Sequence, residues 1–291
     1  VQNTYAQYIN ASTGLVTKPS EMADGTRDII DWPSNSRDGY VFTDVNTVIN
    51  SYAALGTRLL AEMGVDNELE AHPVEPLHTL TGAGGAGSSS SSSGSGGGGG
   101  GGMRAASATI VAAMSKFLFD ETRGRYCDGR CNSSDAGVGA GGEGGGAGGP
   151  GGGTSHTALH ATMFPLAHKL VPPARIGSAV QWVRSRGMAC SVYGAFPLLE
   201  ALFGVGAVDA NTSASGDSSR SSYPYLDYGK AAVKLLSSCD QGLDSTVGYG
   251  SWCGMIKQNA TCTMEAWNKN QKPNLSFSHP GATAALLALV E

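Results

Sequence analysis

Two glycine-rich blocks limit how much of this chain can build a folded core. Residues 82–102 are glycine and serine with two alanines, residues 137–153 are mostly glycine, and together they hold most of the excess among 43 glycines. Such sequence buries too little apolar surface to offset the conformational entropy that folding removes. We therefore expect both blocks to be disordered insertions in one domain that spans residues 1–291.

Outside these blocks, apolar residues recur at the three- and four-residue spacing of amphipathic helices. In residues 44–63, Val45, Val48 and Ile49 begin the pattern and Asp44 is the expected N-cap. Sustained two-residue alternation is scarce, so the sequence predicts an all-α fold, better suited to a helical-hairpin array or toroid than to an up-and-down bundle. Further helices are expected at 103–119, 156–170, 174–186, 196–203, 225–236 and 282–290, with a short one at 5–9.

The charge pattern argues against nucleic acid and anionic membrane surfaces as partners. The net charge is −5, and lysines and arginines are not clustered along the sequence. No apolar run is long enough to span a bilayer, so a membrane partner is not expected. The chain opens at Val1 without an initiator Met or a leader pattern, and we expect it to be part of a longer protein.

The cysteines and histidines leave the compartment open and favour no metal. Six cysteines are too few for a disulfide scaffold of this length. His156 and His160 stand four residues apart, and Cys127 and Cys131 could supply thiolates, but a glycine block separates the two pairs. We therefore expect no metal and no obligatory cofactor. Glycosylation sequons that permit a secretory or extracellular location stand at Asn10, Asn132, Asn211, Asn259 and Asn274.

The best candidate for chemistry is the segment around Glu265. Trp267 lies two residues after this carboxylate, and His279 follows within the same irregular stretch. An indole stacks on the apolar face of a sugar ring, and a carboxylate transfers protons, so this composition suits a saccharide site. The competing interpretation is a solvated glutamate beside a half-buried tryptophan. A second cluster, Asp31-Trp32-Pro33, is either an aromatic platform or a buried tryptophan in a loop.

These clusters and several intervening motifs resemble the catalytic domain of glycoside hydrolase family 78, the α-L-rhamnosidases. The resemblance implies a partial (α/α)6 toroid, a six-hairpin glycosidase, that inverts the anomeric carbon as it hydrolyses terminal α-L-rhamnosyl residues of a glycoside or polysaccharide. Glu265 would be the general base, Trp32 the ring platform and His279 a hydroxyl contact. Asp31, Tyr126, Asp128 and Trp267 would line the cleft. The motifs are Asp28-Ile29-Ile30-Asp31-Trp32-Pro33, Arg37-Asp38-Gly39-Tyr40, Gly124-Arg125-Tyr126-Cys127-Asp128-Gly129, His160-Ala161-Thr162-Met163-Phe164-Pro165, Val192-Tyr193-Gly194-Ala195-Phe196-Pro197, the residues 261–267 and Ser278-His279-Pro280.

Two departures from the family pattern shape the functional expectation. The acidic motif that holds the general acid in the family, well before the Asp-Trp-Pro segment, is missing here, and Gly281 replaces the tryptophan expected after Pro280. We therefore expect an incomplete domain that is inactive by itself and hydrolyses rhamnosides only within a longer chain. The alternatives are a degenerate, non-catalytic carbohydrate-binding protein and another toroid enzyme, such as a polysaccharide lyase.

Overall fold

The amphipathic patterns form helices, and their apolar faces meet in one core. The computed structural model describes residues 6–19, 28–63, 102–132, 152–213, 233–237, 251–260 and 264–268, with side chains to residue 204 in the long helix. The six α-helices with defined bounds are α1 (Thr47–Glu62), α2 (Gly102–Phe117), α3 (Leu159–Ala167), α4 (Pro173–Arg186), α5 (Val192–Ser213) and α6 (Trp252–Lys257). Residues 233–237 are also helical, and 3₁₀ turns span Ala6–Tyr8 and Ser34–Ser36.

Helix α3 is the centre of the packing. Every residue from Leu159 to Leu166 is buried, as expected for a mostly apolar helix. Its polar side chains, His160 and Thr162, bind Asp31 and the Tyr126 N–H. It packs against α1, α4 and α5, while α2 packs against α1. Ser107 of α2 donates to the carbonyl of Ala54 at 2.8 Å. The described fold is thus predominantly helical, which agrees with the all-α prediction, whereas the toroid stays a prediction.

The described strands are short and form one hairpin. β1 (Phe119–Asp120) pairs antiparallel with β2 (Arg125–Tyr126) directly after α2. A disulfide joins Cys127 to Cys131 just beyond it, so these sulfurs are not the thiolates that a metal would need. Cys253 is also disulfide-bonded.

Three predicted helix starts need correction. Asn46, not Asp44, caps α1: its side chain accepts from the backbone N–H groups of Val48 and Ile49. Helix α3 begins at Leu159 rather than residue 156, since Asp38 accepts from the Leu159 N–H at 2.7 Å. Helix α5 begins four residues earlier than predicted.

Helix ends and unpredicted elements also differ from expectation. Helix α3 ends at Ala167, before the two prolines predicted to stop it, and Pro173 instead occupies the first turn of α4. Helix α6 had no counterpart in the predicted helices. The predicted helix at 282–290 lies outside the described residues.

The ends of both glycine blocks are ordered, contrary to the expected boundaries. Gly102 is the first residue of α2. Gly153 packs so closely on the strand bridge at Cys131 that a Cβ there would lie 2.8 Å from the carbonyl oxygen of Arg130. Residues 82–101 and 137–151 lie outside the described ranges.

Candidate functional site

The start of helix α5 is where the two predicted clusters meet. The Asp31 carboxylate accepts from the Ser191 N–H at 2.8 Å, and the Ser191 hydroxyl donates to it as well. The Trp267 indole N–H donates to the carbonyl of Cys190 at 2.7 Å. Both clusters are therefore attached within two residues of each other, although 233 positions separate Trp32 from Glu265 in the sequence.

Asp31 is a buried anchor of this junction. Besides Ser191, its carboxylate accepts from the Trp32 N–H at 2.8 Å and pairs with Nε2 of His160 at 2.8 Å. Ser191 in turn caps α5, because its hydroxyl accepts from the Tyr193 N–H at 3.0 Å. The positive end of the helix also favours a carboxylate here. Asp31, predicted to line a cleft, is occupied by protein donors and holds the loop that carries Trp32.

A glycine permits this close approach. A Cβ on Gly194 would lie 2.8 Å from Oδ2 of Asp31 and 2.7 Å from the Cβ of Cys190. Real side chains do not make carbon–oxygen contacts of that length without displacement. The first turn of α5 can therefore receive the Asp31 carboxylate only because residue 194 lacks a side chain.

Two aromatic side chains remain accessible beside this anchor. Trp32 is 47% exposed and Tyr193 is 38% exposed. The Trp32–Pro33 peptide bond is cis. Exposed aromatic rings carried by a fixed backbone are suited to stack on an apolar ligand face. Trp32 therefore has the accessibility that its predicted role as a platform requires.

Glu265 lies against one of these aromatics. Its Oε1 accepts from the Tyr193 hydroxyl at 3.2 Å, and its side chain is partly exposed. Burial, together with the hydrogen bond to Glu265, raises the pKa of Tyr193, so the phenol stays protonated and remains a donor at neutral pH. A partly accessible carboxylate with an oriented donor is chemically able to activate a water.

Trp267 is buried, in contrast to Glu265 two residues earlier. It is 1% exposed, and its carbonyl accepts from the side-chain amide of Gln258 at 3.0 Å. The indole thus fills the core between α5 and α6 rather than facing solvent. Its observed role is to hold the Glu265 segment against the start of α5.

Asp128 and Tyr126 belong to a different part of the molecule, near the β-hairpin. The buried Asp128 carboxylate accepts from the N–H groups of Val41 and Ala158, at 2.8 and 2.7 Å, and contacts Nδ1 of His156 at 2.6 Å. This hydrogen bond raises the pKa of His156. Tyr126 is buried against Phe119, and burial raises its pKa to about 12. Both side chains bind protein partners that stabilise the fold.

The remaining candidates are His279 and the metal alternative. His279 lies outside the described residues. Across the described ranges, His, Cys, Asp and Glu side chains form no group of three that could hold a metal ion. No helix among them is long and apolar enough to cross a membrane.

Sequence reasoning did not select Tyr193 or Ser191 for the site. Tyr193 stands in an apolar helical pattern, where an aromatic residue is usually read as core. Ser191 did carry a signal, since a serine directly before an apolar run is a typical helix N-cap. His160, considered for a metal, lies fully buried with Nδ1 lacking any hydrogen-bond partner in the described part of the chain.

A groove of about 550 Å³ lies elsewhere, between α1, α2 and the segment before α4. It contains none of the predicted site residues, so the junction at α5 remains the candidate site. No protein-family model matches this chain, and a search of curated proteins also finds no match.

Proposed function

We propose that this chain contributes the general-base half of an inverting glycosidase that hydrolyses terminal α-L-rhamnosyl residues. In such enzymes a carboxylate activates the attacking water while an acid about 6.5–9.5 Å away protonates the leaving oxygen. Glu265 takes the role of the base and Trp32 that of the ring platform. The proposal rests on the resemblance to glycoside hydrolase family 78, and it includes the expectation that this chain is part of that family's (α/α)6 toroid.

One observation carries the proposal: Glu265 and Trp32 are attached to the same helix start. Tyr193 contacts Glu265, and Ser191, two residues earlier, binds the residue that precedes Trp32. A saccharide stacked on an exposed aromatic here would have a carboxylate in its neighbourhood. Buried anchors on either side, Asp31 and Trp267, hold both groups in position, and such pre-organisation is what a catalytic site needs.

The general acid must be a residue other than Asp31, Asp38 or Asp128. Each of these carboxylates is buried and bound to at least three donor groups; for Asp38 these are the Leu159 N–H and the Nε and Nη2 groups of Arg186. A buried carboxylate whose oxygens are occupied by protein donors cannot reach the leaving oxygen of a substrate, as a general acid must.

This same observation favours a second candidate, a carbohydrate-binding protein without hydrolytic activity. Exposed Trp32 and Tyr193 suffice for stacking on a sugar, whereas hydrolysis requires both carboxylates. The two functions differ in one property. Binding alone survives the loss of Glu265, and hydrolysis does not.

Hydrolysis of an aryl α-L-rhamnoside tests the proposal, with L-rhamnose binding measured alongside. Both are measured for this chain and for a longer chain that adds N-terminal sequence, with Glu265→Gln and the exposed control Glu62→Gln. We expect hydrolysis in the longer chain, reduced by roughly 10²–10⁴-fold in Glu265→Gln and unchanged in Glu62→Gln. Hydrolysis that survives Glu265→Gln would refute the role of this residue. Rhamnose binding without hydrolysis would favour the second candidate.

A further inference from the structure

A basic surface forms where the β-hairpin packs on helix α4. Gly124, in the hairpin turn, has φ +66°, and a Cβ there would lie 2.6 Å from the Cβ of Ser178 on α4. This approach brings the Arg125 guanidinium over the indole of Trp182, with its central carbon 3.8 Å from the ring centroid. The guanidinium of Arg186 lies 5.3 Å from the same centroid. Two cations thus share one aromatic ring.

Arg125 has no counter-ion among the residues that the structure describes. Within the described ranges it forms no ion pair, and its buried Nε has no hydrogen-bond partner. Nε1 of Trp182 is likewise buried and unpartnered. Burial, followed by repulsion from Arg123, lowers the pKa of Arg125, yet a guanidinium remains charged at neutral pH. No described carboxylate balances the charge of Arg125, so this partly buried guanidinium can accept an anion as a partner.

Most of the neighbouring carboxylates lie beneath the cations. Arg186 is 33% exposed, while its partner Asp38 is 3% exposed. His156 is likewise partly exposed above the fully buried Asp128. Asp120, the cross-strand neighbour of Arg125, already accepts from Thr122 and Arg123. Glu121 in the hairpin turn is exposed, and it pairs with Arg175. The outward-facing charge around Arg125 is therefore mainly positive, although the chain is acidic overall and its sequence shows no basic cluster.

We propose that Arg125 is the donor of a binding site for an oxyanion. Arg123 and Arg186, whose N–H groups already bind Asp120 and Asp38, add positive charge to this site. The outer edge of a guanidinium presents two parallel N–H bonds that match two oxygens of one carboxylate or sulfate. Stacking on Trp182 fixes the plane of this edge, so little side-chain entropy remains to be lost on binding. The site stands on its own geometry and does not depend on rhamnoside cleavage.

The carboxylate of an acidic saccharide is the favoured source of the oxyanion. Arg186 binds Asp38 on the loop that also carries the exposed Trp32, and Arg37 of that loop donates to the carbonyl of Asp31 at 2.8 Å. The basic surface and the aromatic platform are thereby attached to one segment. A free inorganic oxyanion such as sulfate offers the same donor-matching oxygens, and the experiment separates the two.

The test is calorimetric titration of the full chain, at low ionic strength, with sodium D-glucuronate, sodium sulfate and neutral D-glucose. We expect glucuronate to bind and glucose not to bind. Arg125→Gln should weaken glucuronate binding roughly ten- to hundredfold, because charged hydrogen bonds are lost. Arg104→Gln, at an exposed arginine of α2 outside this surface, should leave the affinity unchanged.

A thermal-unfolding series guards against a misfolded variant. Glucuronate should raise the unfolding temperature of the native chain but not that of Arg125→Gln, since only a bound ligand shifts folding. If Arg125→Gln is itself unstable, Arg125→Lys replaces it in the test. Lysine keeps the positive charge but lacks the two parallel N–H donors of the guanidinium, so weaker glucuronate binding is again expected. Binding of sulfate alone would support the oxyanion site and assign it to an inorganic ion. Absence of binding by both anions, or equal weakening by Arg104→Gln, would overturn the proposal.

Discussion

Asp31 and Glu265 are attached to the same end of helix α5, yet they differ in almost every physical respect. Asp31 is buried and accepts from Trp32, Ser191 and His160, whereas Glu265 is partly exposed and meets the hydroxyl of an exposed tyrosine. A carboxylate saturated by protein donors stabilises the fold, and only an accessible one can contact a ligand. Burial and donor number therefore separate a carboxylate that stabilises the fold from one that a ligand can reach.

Removal of the Asp31 carboxylate should have the largest effect on stability. Asp31→Ala leaves His160 and the Ser191 N–H buried without their acceptor, so we expect the free energy of unfolding to fall by about 3–5 kcal/mol. Glu265→Gln should change it by less than about 1 kcal/mol, because the side chain is partly solvated. Urea denaturation followed by circular dichroism measures both. Similar losses for the two variants would contradict the contrast drawn between these carboxylates.

Ser191→Ala should destabilise the same junction less than Asp31→Ala does. It removes the helix cap and one donor to Asp31 but leaves the carboxylate bound to His160. We expect a loss of about 1–2 kcal/mol. A loss as large as that of Asp31→Ala would mean that the helix cap, and not the carboxylate, stabilises this junction.

Two histidines show the same contrast between buried and exposed groups, here in the pH dependence of stability. Burial lowers the pKa of His168 to about 4, and its Nδ1 lies 2.7 Å from the Ser51 hydroxyl. As the pH falls, the unfolded chain binds this proton before the folded chain does. The contribution of neutral His168 to the free energy of unfolding is therefore complete above pH 6.5 and is lost as the pH drops towards 4. We expect a loss of about 2–3 kcal/mol over this window. Urea titrations at several pH values should show it, and His168→Gln should remove it.

His156 provides a control of opposite sign. Its hydrogen bond to Asp128 raises its pKa, so its contribution is complete below pH 6.5 and is lost as the pH rises through the folded value. The side chain is partly exposed, and solvent screening keeps this contribution small. His156→Gln should therefore lower stability slightly at acidic pH and leave the loss caused by His168 intact.

Helix positions were predictable from sequence, because amphipathic periodicity is a local property. Five predicted segments, from 44–63 to 196–203, correspond to α1 through α5. Their starts were less predictable. Asn46 and Ser191, which cap α1 and α5, were not selected as caps, and Asp38 reaches the Leu159 N–H across 121 positions. The short helix α6 carries too few residues for a periodic signal.

The candidate site was predictable in residue type but not in arrangement. The sequence selected Trp32 and Glu265 as chemically suitable, and also Trp267, which the structure buries. No local pattern indicates that Asp31 binds Ser191 across 160 positions, or that Tyr193 meets Glu265 across 72. Burial follows from these long-range contacts, so the roles of the carboxylates emerge only in three dimensions.

Two of the contacts that hold the Glu265 segment should differ in strength. Trp267→Phe removes the indole donor and leaves the buried Cys190 carbonyl without it, so we expect a loss of about 1–3 kcal/mol in the free energy of unfolding. Tyr193→Phe removes a hydroxyl from an exposed contact and should cost less than about 1 kcal/mol. Urea denaturation of both variants gives the order. The reverse order would mean that Glu265 is fixed chiefly by Tyr193.

Trp32 should matter least to stability and most to ligand binding. Its side chain is nearly half exposed, and Asp31 holds the neighbouring backbone through an N–H that alanine retains. Trp32→Ala should therefore change the free energy of unfolding by no more than about 0.5 kcal/mol. The same variant should abolish L-rhamnose binding measured by calorimetry, because a stacking surface is lost. If Trp32→Ala destabilises the fold and spares rhamnose binding, Trp32 stabilises the structure as Asp31 and Trp267 do. Glu265 and Tyr193 alone would then remain as proposed ligand contacts.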